Sequence, residues 1–335
     1  MANNIIKTMR IQYIDKLKGL AIIFVVMGHV AGGCGFGHPF DLMYASWHMP
    51  MFMFLSGIFA FKSIKEYSWG EVVTFFKKKA LRLLVPFIMV GGIFSMMAFG
   101  DPWETLTGKA GGYWFFPALF YDMLWGLIAL YAARLIAPPL RGNVLISNVL
   151  TSLAIFVVLS VLYLKGVRFP YFLHAVKMFP FFYCGALFGM SGRVKGLFTE
   201  NNTIYSIAFV VFFALQLTDT HTSIINLTGL PAIIILMNLF SRYDCRIPQW
   251  LSTVGTYSLE IYVFHWFLVP DVRWIGPWLT QPTKWLLGNY NLALMLAIAL
   301  AIAGLIVALC MVLAVAVRHS RLLNALLLGG KWSRK

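Results

Sequence analysis

The sequence is poor in charged residues, and acidic residues are the rarer kind. Asp, Glu, Lys and Arg together make up 12% of the 335 residues, against about 25% in an average soluble domain. The four cysteines are scattered and lack the spacing of metal ligands, so we expect neither a disulfide framework nor a zinc site. We also expect no tightly bound cofactor.

Apolar residues take the place of the missing charges. They make up 60% of the chain, the mean hydropathy is +0.78, and apolar runs recur from end to end. We therefore predict an all-α, polytopic membrane helical bundle of about ten transmembrane helices, in a single domain over residues 1–335. The predicted spans are 17–34, 41–61, 83–100, 113–136, 145–164, 172–190, 203–219, 222–240, 254–270 and 291–317. Two alternatives stay open: a re-entrant unit over 203–240 and an interfacial helix over 274–288.

The basic residues predict the orientation of the bundle. Ten spans put both termini on one side, and this side holds all but six of the 27 basic residues. The six on the other side are Lys109, Lys165, Arg168, Lys177, Arg273 and Lys284. Basic residues concentrate on the cytoplasmic side of membrane proteins, so we predict cytoplasmic termini. This bias accounts for the net charge of +15 without nucleic acid as a partner.

The first span carries ionisable residues at two depths. Lys18 and His29 are eleven residues apart, which puts them within roughly 20° of each other on a helix and about 16 Å apart along its axis. Asp15 falls on nearly the same face. Ionisable groups are costly inside a membrane and usually serve a function there.

Histidines collect toward the outer side and basic residues toward the inner side. In the predicted topology, five of the seven histidines map to the outer half or surface: His29, His38, His48, His174 and His265. The alternative is that these histidines lie at the membrane–water interface and have no catalytic role.

The basic residues Lys18, Lys79 and Arg82 lie at the cytoplasmic boundary and suit an anionic ligand, because Arg matches phosphate geometry. The alternative is that these side chains extend to the lipid headgroups and bind no specific ligand. Pro86 is expected to break its helix. The pattern favours a reaction in which an anionic donor enters from the cytoplasm and an acceptor arrives from outside.

The ninth span has a polar face of its own. Ser258, Tyr262 and His265 follow the i, i+4, i+7 spacing of one helical face. Glu260 lies well inside the same span, so we expect it to be neutral or paired with a basic residue or a histidine. A single structural hydrogen bond to a neighbouring helix is the alternative.

Six motifs occur in order along the chain. They are YIDKLKGLA at 13–21 with His29 in register, MPMFMFLSG at 49–57, KALRLLVP at 79–86, WFFPALF at 114–120, FPFFYCGA at 179–186 and GTYSLEIYVFH at 255–265. Over about residues 10–270 the chain resembles the acyltransferase-3 family of integral membrane O-acyltransferases. It departs from the family at Lys18, where the usual residue is Arg. Lys keeps the charge but cannot form a bidentate contact.

The resemblance implies a function. Members take an acyl group, usually acetyl, from cytoplasmic acyl-CoA and place it on a hydroxyl of a cell-surface glycan or its lipid-linked precursor. We therefore expect an acyltransferase in the bacterial cytoplasmic membrane, with acetyl-CoA as donor and the bilayer and the glycan as partners. A multi-pass transporter or flippase is the main alternative, and a membrane sensor or scaffold is the weaker one.

The resemblance also assigns roles to residues. Lys18, Lys79 and Arg82 are expected to hold the CoA phosphates or orient the thioester, and Lys18 is counted among the catalytic residues. His29 is expected to be the general base or a transient acyl carrier, with His265 or Glu260 orienting it or the acceptor. His48, Trp114 and Tyr262 are expected to bind substrate.

Overall fold

The structure confirms the all-α prediction for the residues that it describes. It is a computed structural model that describes residues 12–36, 47–61, 68–108, 111–138, 143–216, 228–273 and 292–330, and these contain no β-strand. The helices are α1 (Gln12–Gly33), α2 (His48–Ala60), α3 (Trp69–Phe99), α4 (Glu104–Thr107), α5 (Phe115–Ile136), α6 (Val144–Leu164), α7 (Phe172–Met190), α8 (Gly192–Thr199), α9 (Asn202–Gln216), α10 (Gly229–Arg242), α11 (Gln249–Thr256), α12 (Ser258–Phe264), α13 (Leu292–His319) and α14 (Arg321–Leu328). Short 3₁₀ turns lie at Gly111–Tyr113, Asp244–Arg246 and His265–Phe267.

Several helices have the length and composition of membrane spans. Among the described residues five qualify, namely α3, α5, α6, α7 and α13, and the pair α8–α9, bent by 60°, would be a sixth. Helices α2 and α10 have 13 and 14 residues, fewer than the roughly 20 that cross a bilayer. The findings support a multi-pass membrane protein, whereas the count of ten and the cytoplasmic termini stay predictions. His38, the 274–288 alternative and the 217–227 part of the re-entrant alternative lie outside the described residues.

The expectation that Pro86 breaks its helix is wrong. The helix runs without interruption through Pro86, which is buried. A proline removes one backbone donor, and neighbouring packing can compensate for that loss inside a helical bundle. With 31 residues, α3 is about 46 Å long, which exceeds a bilayer core of about 30 Å. Lys79 and Arg82 lie in the N-terminal half of this uninterrupted helix.

The predicted span 254–270 is divided. Helix α11 ends at Thr256, α12 begins at Ser258, and a 3₁₀ turn follows at His265. At the break the Tyr257 amide donates to the Val254 carbonyl (3.0 Å), and the Thr256 hydroxyl donates to the Thr253 carbonyl (2.8 Å). Such bonds compete with the regular helical ladder. The expectation of one continuous helix over 254–270 is therefore wrong, but the break precedes Ser258 and so does not separate Ser258, Tyr262 and His265.

Glycines let helix backbones touch at two crossings. Helix α1 packs against α11, and a Cβ on Gly19 would overlap the Leu251 carbonyl oxygen, as one on Gly255 would overlap that of Asp15. Helices α2 and α7 meet in the same way at Gly57. Small residues at such crossings are a common way of packing helices in membranes. They explain the glycines in the first, second and last sequence motifs.

We expect Gly19→Ala to destabilise the protein, because the added methyl group meets backbone that cannot rotate away. Overpacking of this kind typically lowers the free energy of unfolding by about 1–3 kcal/mol. The measurement is the thermal unfolding of the detergent-solubilised protein. Gly304→Ala in α13 is the matched control, since no heavy atom lies within 4 Å of its Cβ position. Equal melting temperatures for the two variants would contradict the close crossing.

Candidate functional site

One cavity gathers the basic residues that the sequence singled out. This basic cavity, of about 230 Å³, is lined by Lys18 from α1 and by Lys79 and Arg82 from α3. Lys18 is 29% exposed, and its ammonium lies 3.6 Å from the Asp15 carboxylate. The Lys79 ammonium lies 5.4 Å from the centre of the Phe75 ring. Three cations around one cavity form a suitable site for a phosphate-bearing ligand.

A second cavity gathers the aromatic and histidine residues. This histidine cavity, of about 420 Å³, is lined by His29 from α1, His48 from α2, Tyr262 from α12, and by Trp114 and Trp266. Four of these five residues were predicted as site residues: His29, Trp114 and Tyr262 come from three separate motifs, and His48 directly precedes a fourth. Trp266 was not predicted, although it directly follows His265 in the sequence. Its ring centre lies 4.1 Å from that of His29.

His265 lies behind His29 and is completely buried. The two imidazoles are stacked with their centres 5.3 Å apart. His265 Nδ1 lies 3.0 Å from the Ile261 carbonyl and 2.9 Å from that of Tyr262. Carbonyl oxygens only accept, so Nδ1 carries a proton. The other ring nitrogen, Nε2, is buried and has no hydrogen-bond partner within the described part of the chain. Leaving such an atom unpaired typically costs about 1–3 kcal/mol.

The two cavities have a common wall. Met49 and Tyr262 line both of them. The Tyr262 hydroxyl donates to the Gly112 carbonyl oxygen (2.9 Å), to which the Trp266 indole also donates (3.2 Å). The side chain of Tyr262 is therefore fixed between the basic and the histidine cavities. No sequence signal identified Gly112, because it acts through its backbone oxygen.

Glu260 is paired with Arg318 at the end of α13. The Arg318 guanidinium donates to Glu260 Oε1 through Nε (2.9 Å) and through Nη2, and it also lies over the Tyr257 ring. The expected pairing with a basic residue is confirmed. The contact places Glu260 in an ion pair that fastens α12 to α13, and its predicted catalytic role stays a prediction.

The backbone at Arg82 is supported by the C-terminal helix. Helix α14 packs against α3, and Gly329, which caps its C-terminal end, has a φ of 62°. A Cβ on Gly329 would lie 2.6 Å from the Leu81 carbonyl oxygen and 2.7 Å from the Arg82 Cα. The last turn of α14 thus rests directly on one wall of the basic cavity. Among the described residues no cluster of His, Cys, Asp or Glu could hold a metal ion.

We expect Arg318→Gln to reduce stability more than Glu260→Gln does. The first change leaves a buried carboxylate without its partner, which typically costs about 1–3 kcal/mol, whereas the second removes the buried charge itself. The double variant should regain part of the loss. Thermal unfolding of the three proteins measures this. Wild-type stability of Glu260→Gln together with lost activity would instead indicate a catalytic carboxylate.

Comparison with known proteins agrees with the motifs and the geometry. No curated protein and no solved structure matches the chain. A family model described as an acyltransferase domain matches residues 11–316, a range that includes every residue of both cavities named above. The chain therefore belongs to the acyltransferase-3 family.

Proposed function

We propose that this protein is a membrane O-acyltransferase. It takes an acyl group, most simply acetyl, from acyl-CoA in the basic cavity and places it on an acceptor hydroxyl in the histidine cavity. The observation that carries this proposal is that α1 contributes Lys18 to one cavity and His29 to the other, while Met49 and Tyr262 border both. Membership of the family supports the acyl-transfer chemistry.

The basic cavity suits the donor. Coenzyme A carries phosphates at one end and the thioester at the end of a linear pantetheine arm. Lys18, Lys79 and Arg82 offer one guanidinium fork and two ammonium groups for the phosphates. In the predicted topology these residues face the cytoplasm, where acyl-CoA is made. The arm then extends along α1 toward Tyr262.

The histidine cavity suits a sugar hydroxyl. Trp114 and Trp266 present flat apolar surfaces against which the ring face of a sugar can pack. The Trp114 ring is itself held by stacking on His174, with centres 4.7 Å apart. His48 and His29 supply polar atoms for hydroxyl groups. A glycan or a lipid-linked sugar that reaches the outer side of the membrane is the acceptor we propose.

The reaction balances with His29 as general base. His29 accepts the proton of the acceptor hydroxyl, and the oxygen attacks the thioester carbon. The carbon–sulfur bond then breaks, and His29 returns the proton to the sulfur, which yields the ester and free CoA thiol. His265 is a positioning residue, because its stacked ring fixes the orientation of His29.

A transporter or flippase would share the membrane helices and the polar interior. It has no need for a phosphate-binding cavity that meets a histidine cavity at a common wall, and it would not consume acyl-CoA. Release of CoA thiol that depends on the protein separates the two functions.

We expect His29→Ala to lower acyl transfer by about 10²–10⁴-fold, the usual contribution of general base catalysis. Membrane vesicles that contain the protein are incubated with [¹⁴C]acetyl-CoA, and alkali-labile label measures ester formation. His319→Ala is the control, since His319 is exposed at the end of α13. A folded His29→Ala protein with wild-type transfer would refute the assignment.

We expect Arg82→Ala to raise the KM for acetyl-CoA by about tenfold or more, because hydrogen bonds to charged groups are typically worth about 1.5–3 kcal/mol. The kcat should change less, since the phosphates lie far from the reacting carbon. Steady-state kinetics of thiol release measure both constants. Lys77→Ala is the matched control: Lys77 is exposed on the same helix and lines neither cavity. An equal rise in KM in both variants would show that the effect comes from the overall surface charge and not from a contact between Arg82 and the donor.

A further inference from the structure

The common wall of the two cavities contains Tyr262, whose side chain is fixed, and Met49, whose side chain can change shape. Tyr262 is fixed by its hydrogen bond to Gly112, and its ring packs between those of Phe115 and Phe116, with centres 5.4 and 5.3 Å away. Met49 lies in the first turn of α2, is 9% exposed and also lines both cavities. A methionine side chain is unbranched and can adopt several shapes. Of the two residues that line both cavities, Met49 is therefore the one whose side chain can change shape.

The transferred acyl group has to occupy this wall. In the proposed function the thioester carbon must be reached from the basic cavity by the donor and from the histidine cavity by the acceptor oxygen. Its carbonyl carbon then lies near Tyr262, and the tail of the acyl chain packs against Met49 and Phe115, which also lines the basic cavity. We propose that Met49 is the residue that limits the length of the acyl chain. This inference rests on the proposed function and adds the selection of the donor.

Short acyl chains are favoured because extra methylene groups find no space. One methylene group too many in a fitted apolar pocket typically changes kcat/KM by about 10–200-fold. Shortening Met49 opens this space without touching the basic residues or His29. The structure also offers a matched comparison in Met123, a buried methionine of α5 (3% exposed) that lines the basic cavity and not the histidine cavity.

The test compares Met49→Ala with Met123→Ala. Each variant, in membrane vesicles, receives [¹⁴C]acetyl-CoA or [¹⁴C]butanoyl-CoA, and alkali-labile ester label gives the ratio of kcat/KM for the two donors. We expect Met49→Ala to raise the butanoyl-to-acetyl ratio at least about tenfold. Met123→Ala should change both donors alike and leave the ratio as in the wild type.

The outcomes separate the inference from the function on which it rests. If the wild-type protein transfers no acyl group and releases no thiol, the proposed function fails. If it transfers acetyl but both methionine variants shift the ratio equally, or neither does, Met49 is not the selector. Should Met49→Ala fail to fold, Met49→Val makes a smaller opening. An active Met49→Val with an unchanged ratio overturns the proposal.

Discussion

The contact of two helix backbones at Gly19 and Gly255 determines the spacing of the site. Lys18 precedes Gly19 on α1, and the segment after Gly255 leads through α12 to Tyr262 and His265. Because the backbones touch, α1 and α12 have little freedom to separate. This close approach of the two helices brings His29 into stacking contact with His265 and places Tyr262 between the two cavities. A larger residue at either glycine would move the two halves of the site apart.

Two separate cavities suit a reaction whose substrates lie on opposite sides of a membrane. A phosphate-rich donor cannot enter the hydrocarbon region, and a large glycan cannot cross it. In the proposed function the charged part of the donor stays at the basic cavity and the acceptor at the histidine cavity, so only a small neutral acyl group passes between them. The cost of burying the charge of the donor is thereby avoided. In the proposed function this division makes transfer across the membrane possible without transport.

Sequence reasoning reached the residues whose chemistry is unusual for a membrane span. Lys18, His29, Tyr262 and His265 stand out by type and period. Contacts between distant segments could not be read in this way, so the pairing of Glu260 with Arg318 was open among several partners. The break before Ser258 depends on local hydrogen bonds that compete with those of the helix. A hydropathy pattern contains no information on such bonds, so the break could not be predicted from it.

The family match ends at residue 316, but the turn at Gly329 rests on the backbone of Arg82. One wall of the basic cavity is therefore shaped by a segment that the family comparison does not cover. A chimera joined at residue 316 would place a foreign segment against Arg82, and in the proposed function this changes the affinity for the donor with every motif intact. Exchanges between relatives are better joined after Gly330, so that the supporting turn travels with the helix it supports.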